Sequence, residues 1–127
     1  MRGFLNELKR DAEIAQGSNN SDLGAASVRL LEAVADTSEA AEHLIRLLDA
    51  GKVEQALCGA TPFLRLMALA TGGVLLARGA AISGNAERAQ LARYFADNHV
   101  GEAGALKRVV IDGSDSLLAA SRLLDDM

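Results

Sequence analysis

The chain has 127 residues, a formal net charge of -4, half of its residues hydrophobic and 3% aromatic, with a single proline and no tryptophan. A folded chain of this length removes roughly two thirds of its surface from water, so one domain can hold its own core without disulfides or metal. The low aromatic content speaks against a β-sandwich, a β-barrel or a stacking platform for single-stranded nucleic acid, and the negative charge against a general binder of nucleic acid or anionic membrane.

Residues 2 to 16 place Phe4, Leu5, Leu8, Ala12 and Ala15 three and four apart among charged neighbours, which predicts a short amphipathic helix. Gly17-Ser-Asn-Asn-Ser-Asp22 breaks that period and predicts a turn or a disordered tip, because these side chains bond local backbone instead of continuing a helix. From Leu23 to Ala50 the residues Val28, Leu31, Val34, Ala35, Ala41, Ile45 and Leu48 recur with helical period, and Gly51 stops the run. Val53 to Cys58 reads as a short helical turn before Gly59.

Thr61-Pro62 reads as an N-cap followed by proline at the first helical position, opening a helix to about Ser83. Phe63, Leu64, Leu66, Met67, Leu69, Val74, Leu75, Leu76 and Ile82 make it apolar almost all round, the mark of a helix buried among its neighbours. Its small residues Ala68, Gly72, Gly73, Ala77 and Ala81 point to close approach by another helix. After Gly84-Asn85, Ala86 to Ile111 reads as one helix with Leu91, Ala92, Phe95, Val100, Leu106, Val109 and Val110 inward and kinks at Gly101 and Gly104. Gly113-Ser-Asp115 either resets that helix or is carried inside it, and Leu117, Leu118, Leu123 and Leu124 complete an apolar face. No alternating Val/Ile/Thr run appears, so the expected fold is all-α: one domain, 1–127, an up-down bundle of four main helices with a short extra helix.

Residues 1 to 63 carry six basic and ten acidic side chains and residues 64 to 127 seven of each, so the first half holds the whole acidic excess. Cys58 is the only cysteine and MRGFLNELKR lacks an apolar signal region, which together point to a reducing cytoplasm. The longest uncharged run, Leu66 to Ala77, has twelve residues, against the roughly 20 that a bilayer crossing needs.

Metal chemistry finds no support, since Cys58, His43 and His99 match no zinc spacing and Ala40 and Ala96 stand where a di-iron bundle needs glutamates. Glu39 and His43, four apart, form a solvated contact more readily than an acid/base dyad. Gly79 to Gly84 has the phosphate-loop spacing but is followed by Asn85 instead of lysine and closes a helix instead of opening one. Arg65, Arg78, Arg88 and Arg93 flank the central helices, where they serve either a partner's anionic groups or ion pairs within the bundle. Phe63, Met67 and Phe95 line either a small apolar pocket or plain core.

Taken in order, Ala60-Thr-Pro-Phe-Leu-Arg-Leu-Met67, Gly72-Gly-Val-Leu-Leu-Ala-Arg78, Leu91-Ala-Arg-Tyr-Phe-Ala96 and Gly113-Ser-Asp-Ser-Leu117 resemble the extra C-terminal helical domain of one branch of the acyl-CoA dehydrogenases. That branch includes enzymes similar to 3-methylmercaptopropionyl-CoA dehydrogenase. The resemblance spans about residues 20 to 124 and is closest over 60–117. It implies a helical module appended to a homo-oligomeric flavoenzyme that oxidises acyl-CoA thioesters to 2-enoyl-CoA. In that family FAD and the catalytic carboxylate belong to core domains, so no catalytic residue is carried onto Glu32, Glu39, Glu42, Glu87 or Glu102, and no cofactor is expected in this chain itself.

Two expectations follow. The first is a non-catalytic module that contacts the dehydrogenase core or another copy, with Gly72, Gly73, Ala77, Arg65, Arg78 and Arg93 as the candidate interface. The second is a free-standing helical interaction protein that forms a homo-oligomer through the same small-residue seam. The Met-Arg-Gly start and the Asp-Asp-Met end are compatible with either.

Overall fold

The computed structural model describes residues 1–127. It is built from helices alone: α1 (Arg2–Gln16), α2 (Ser21–Asp49), α3 (Val53–Cys58), α4 (Ala60–Ser83), α5 (Ala86–Asn98), a 3-10 turn at Val100–Glu102, α6 (Ala103–Asp112) and α7 (Ser114–Asp125). The expected all-α bundle is what forms, with one difference in how its second half divides. The run expected to be one helix from Ala86 to Ile111 breaks at His99, and the 3-10 turn swings Val100 inward until it is buried. Gly113 then resets the chain into α7. A β-carbon there would stand 2.5 Å from the Val109 carbonyl oxygen, so only glycine allows this close a bend.

Helix starts follow local chemistry. Asn20 Oδ1 accepts from the backbone N–H groups of Asp22 at 2.9 Å and Leu23 at 3.1 Å, so α2 begins at Ser21 and the Gly17–Asn20 segment is a tight turn. Asn85 repeats the arrangement for α5, accepting from Glu87 at 2.9 Å and Arg88 at 3.1 Å. The proposed Thr61 cap does not form. Helix α4 starts at Ala60, directly after Gly59, and Pro62 sits in its first turn, where no intrahelical partner exists for the N–H it lacks.

Helix α2 is the spine, touching α1, α3, α4, α5 and α6. Its buried face is made of small residues with a few leucines and valines, and two buried hydroxyls are satisfied within the helix. Ser27 donates to the Leu23 carbonyl and Thr37 to the Ala33 carbonyl, each at 2.7 Å. Fourteen of the 24 buried hydrophobic residues are alanine, so the helices meet almost backbone to backbone around Leu30, Leu66, Val74 and Val110.

The large apolar residues are distributed the opposite way. Helix α4 was expected to be buried all round, but only Phe63, Leu66, Ala70, Gly73, Val74, Ala77 and Ala80 face the core. Leu64, Leu75 and Ile82 lie on its outer side at 64%, 53% and 75% exposure. Val28, Leu48, Leu91 and Val109, expected inward, are also about half exposed. Close packing selects the narrow, small-residue side of each helix, and the bulky side is left outside. By length and composition α4 would pass for a membrane span, and 33% of its most apolar stretch is buried within the bundle.

Candidate functional site

The outer side of α4 is the most distinctive surface of the molecule. Starting from Leu57 on α3, the residues Thr61, Leu64, Ala68, Leu75 and Ile82 recur at helical intervals and are all exposed, with Gly72 and Gly79 half-buried beside them. Single exposed leucines are ordinary; a continuous apolar stripe along one helix marks an interaction surface. Gly79 has open space where a side chain would stand. There α4 and α5 form a groove of about 200 Å³ lined by Leu75, Leu76, Gly79, Ala80, Arg88 and Leu91.

The charges carried by α4 itself are all basic, and the carboxylates that meet them come from other helices. Helix α4 contains Arg65 and Arg78 and no carboxylate, and Arg88 of α5 borders the groove. Arg65 reaches across to Glu102 at 2.7 Å, and Arg78 reaches Asp11 at 3.5 Å. Arg88 forms no ion pair within the chain. The arginines therefore rim an apolar strip on a protein that is acidic as a whole.

The residues proposed from the sequence separate into two groups. Gly73 and Ala77 are buried inside the chain, and Gly72 looks onto the Phe95 ring, 3.7 Å from where its β-carbon would be. The close approach that these small residues signalled is thus between α4 and its own neighbours α2 and α5. Arg65 and Arg78 stay at the edge of the exposed stripe. Arg93 lies elsewhere, paired with Asp22 at 3.1 Å and Asp97 at 3.5 Å, and the hydrogen bond it donates to Asp22 leads in raising its pKa. Phe63 is core, with Met67 and Phe95 packed against the same cluster. Leu64, Leu75, Ile82 and Leu91 were all assigned to the interior from the sequence. For the three on α4 this surface could not be read there, because an all-apolar helix has no amphipathic direction.

The remaining candidates do not assemble a reactive centre. Glu39 accepts from the Lys107 ammonium at 3.1 Å, and no Glu39–His43 hydrogen bond forms. Lys107 also pairs with Asp36 at 3.1 Å, and these two carboxylates, Asp36 first, raise its pKa. No three His, Cys, Asp or Glu side chains converge in metal-binding geometry. The largest groove, about 740 Å³, runs between α2 and the α5–α6 junction and is floored by Ala25, Ala33, Ala96 and Ala103. Arg29 and Arg93 line it together with Glu32, Asp36 and Asp97, and no aromatic ring does.

Fold and surface together define an all-α helical domain with an arginine-edged apolar face along α4. Residues 4–121 match the family described as acetyl-CoA dehydrogenase C-terminal like, and the chain belongs to that family of acyl-CoA dehydrogenase C-terminal-like domains. No curated protein and no solved structure is matched.

Proposed function

We propose that this chain is a non-catalytic C-terminal helical module of an FAD-dependent acyl-CoA dehydrogenase, and that the exposed face of α4 is its contact surface within the assembled enzyme. The full enzyme would oxidise acyl-CoA to 2-enoyl-CoA in the cytoplasm, with FAD and the catalytic carboxylate supplied by core domains. The observation that carries this reading is the family match over residues 4–121, nearly the whole chain. The stripe Leu64, Ala68, Leu75, Ile82 supports the contact role, because bulky apolar side chains held in water on a stable helix are stabilised only by a partner. Placement in the branch similar to 3-methylmercaptopropionyl-CoA dehydrogenase rests on the segments within 60–117 that resemble it.

The test is to purify the native protein from cell extract with an antibody raised against this chain. The material is then sized, its flavin spectrum recorded, and its acyl-CoA-dependent reduction of an artificial electron acceptor assayed. Flavin together with acyl-CoA oxidation in the captured material is the expected result. Colourless material of about the mass of this chain, inactive toward every acyl-CoA offered, overturns the reading in favour of a free-standing interaction protein.

A further inference from the structure

Helix α7 is the element least tied to the rest of the bundle. It rests on α3 and α6, buries Ser114 alone, and leaves Leu118 half-buried and every later residue exposed. Its break from α6 also lacks the chemistry found before α2 and α5. Asn20 and Asn85 cap those helices through their side chains, whereas no side chain caps α7. The helical ladder runs to the bond from the Gly113 N–H to the Val109 carbonyl at 3.0 Å and resumes with the bond from the Leu117 N–H to the Gly113 carbonyl at 3.1 Å. The N–H groups of Ser114, Asp115 and Ser116 fall between the two, outside the ladder.

The apolar pattern, by contrast, passes through Gly113 unbroken. Ala103, Val110, Leu117 and Leu124 are spaced seven apart, with Leu106 beside them, so a continuous helix would carry all five on one face. In the structure that single stripe changes surroundings at the bend: Ala103 and Val110 are 3% and 1% exposed, Leu117 and Leu124 52% and 70%. Gly113 itself, at φ -84° and ψ -16°, has not left the right-handed helical region, so α6 and α7 can join without a change of backbone region there.

We propose that Gly113 is a hinge and α7 an arm with two positions: bent onto α3, as in the structure, and straight, continuing α6 as one helix from Ala103 to Asp125. Straightening returns the three amides to the carbonyls of Val110, Ile111 and Asp112 and gives up the burial of Ser114 and Leu118. States that exchange three backbone hydrogen bonds for so little burial lie close in free energy. Glycine keeps the bent position available, because a β-carbon at Gly113 would stand 2.5 Å from the Val109 carbonyl oxygen. The same β-carbon favours a continuous helix, in which alanine is the best residue and glycine a poor one. In the straight position Leu117 and Leu124 line up with Val110; in the bent one they are turned out of that line.

Amide hydrogen exchange of the full chain, read residue by residue by NMR, tests the hinge with two variants. Gly113→Ala disfavours the bend, and Leu118→Ala weakens the contact that holds the arm down while leaving Gly113 in place. In both, exchange at Ser114, Asp115 and Ser116 is expected to slow at least about tenfold relative to wild type, while the amides from Leu118 to Leu124 keep their wild-type protection. Spin labels on cysteines placed at the exposed Ala105 and Arg122, in a Cys58→Ser background, report the geometry. Continuous helix sets these positions about 26 Å apart along its axis, and Gly113→Ala is expected to shift the distance distribution to that value from a shorter one.

Unchanged exchange at the three amides in either variant overturns the proposal. So does loss of protection along α7, which would mean that the arm melts instead of straightening. A Gly113→Ala chain whose labels keep the wild-type distance overturns it as well.

Discussion

Gly73 on α4 sits directly beneath the Leu30 side chain of α2: a β-carbon at Gly73 would collide with the Leu30 Cδ2 methyl and would lie 3.2 Å from Val100 Cγ2. Leu30 is completely buried, so its methyl has nowhere to withdraw. This one contact sets the spacing of the two longest helices and explains why a residue of poor helix propensity stands in the middle of α4.

Gly73→Ala is therefore expected to destabilise the fold. The helix gains about 1 kcal/mol from the better helix former, while overpacking against Leu30 and Val100 costs about 1–3 kcal/mol. Gly79→Ala, six residues further along the same helix with open space at its β-carbon, keeps the propensity gain and is expected to stabilise by about 0.5–1 kcal/mol. Denaturant unfolding of both variants in dilute solution checks the opposite signs; two shifts of the same sign would show that Leu30 does not limit this site.

Leu30→Ala leaves a cavity that alanine-lined neighbours cannot collapse to fill, and is expected to cost about 2–5 kcal/mol. Leu64→Ala, on the exposed stripe, is expected to change the stability of the isolated fold by less than about 0.5 kcal/mol. Thermal melts of the two variants, run side by side at low concentration, separate core leucine from surface leucine.

The two asparagine caps make a matched pair. Asn20→Ala and Asn85→Ala each remove an oxygen that accepts two backbone N–H groups at 2.9 and 3.1 Å, and each is expected to cost about 0.5–2 kcal/mol. Replacement by aspartate, which keeps the acceptor, is expected to restore most of the loss in urea unfolding.

Two ion pairs give opposite pH dependence. Glu42 receives Arg2 Nη2 at 2.9 Å, and that hydrogen bond leads in holding its carboxyl below the usual range. Its contribution is present above the ordinary glutamate value of about 4.3 and disappears as pH falls through the lower folded value. Lys107, raised by Asp36 and then Glu39, behaves in the reverse sense: its contribution is present below the ordinary lysine value of about 10.4 and is lost as pH rises through the folded value. Melting-temperature differences between wild type and Glu42→Gln should vanish in acid, and those for Lys107→Met in strong alkali. Both should shrink with added salt, as exposed pairs do.

Helix ends were largely legible because they depend on neighbours in the chain. Gly51 and Gly84, through positive φ, and the two asparagine caps, through their side-chain acceptors, mark boundaries by effects that act within a few residues. The break at His99 was not legible, because its cause lies elsewhere: Val100 swings in to pack over Gly73, a residue of another helix. The candidate surface was half legible. Arg65 and Arg78 stand exposed at the edge of the α4 stripe, whereas the leucines beside them, expected in the interior, stand outside, since nothing in an apolar run says which third of it faces inward.

By itself the sequence determined the all-α class, the position of most helices and the family, since these follow from local propensity, capping and the order of short segments. Only the tertiary structure decided which side of each helix is inside. Buried atoms must approach closely, so the alanine and glycine sides of α2, α4 and α5 meet one another, and the leucines that hydropathy alone would bury are left on the outside of α4 and α7.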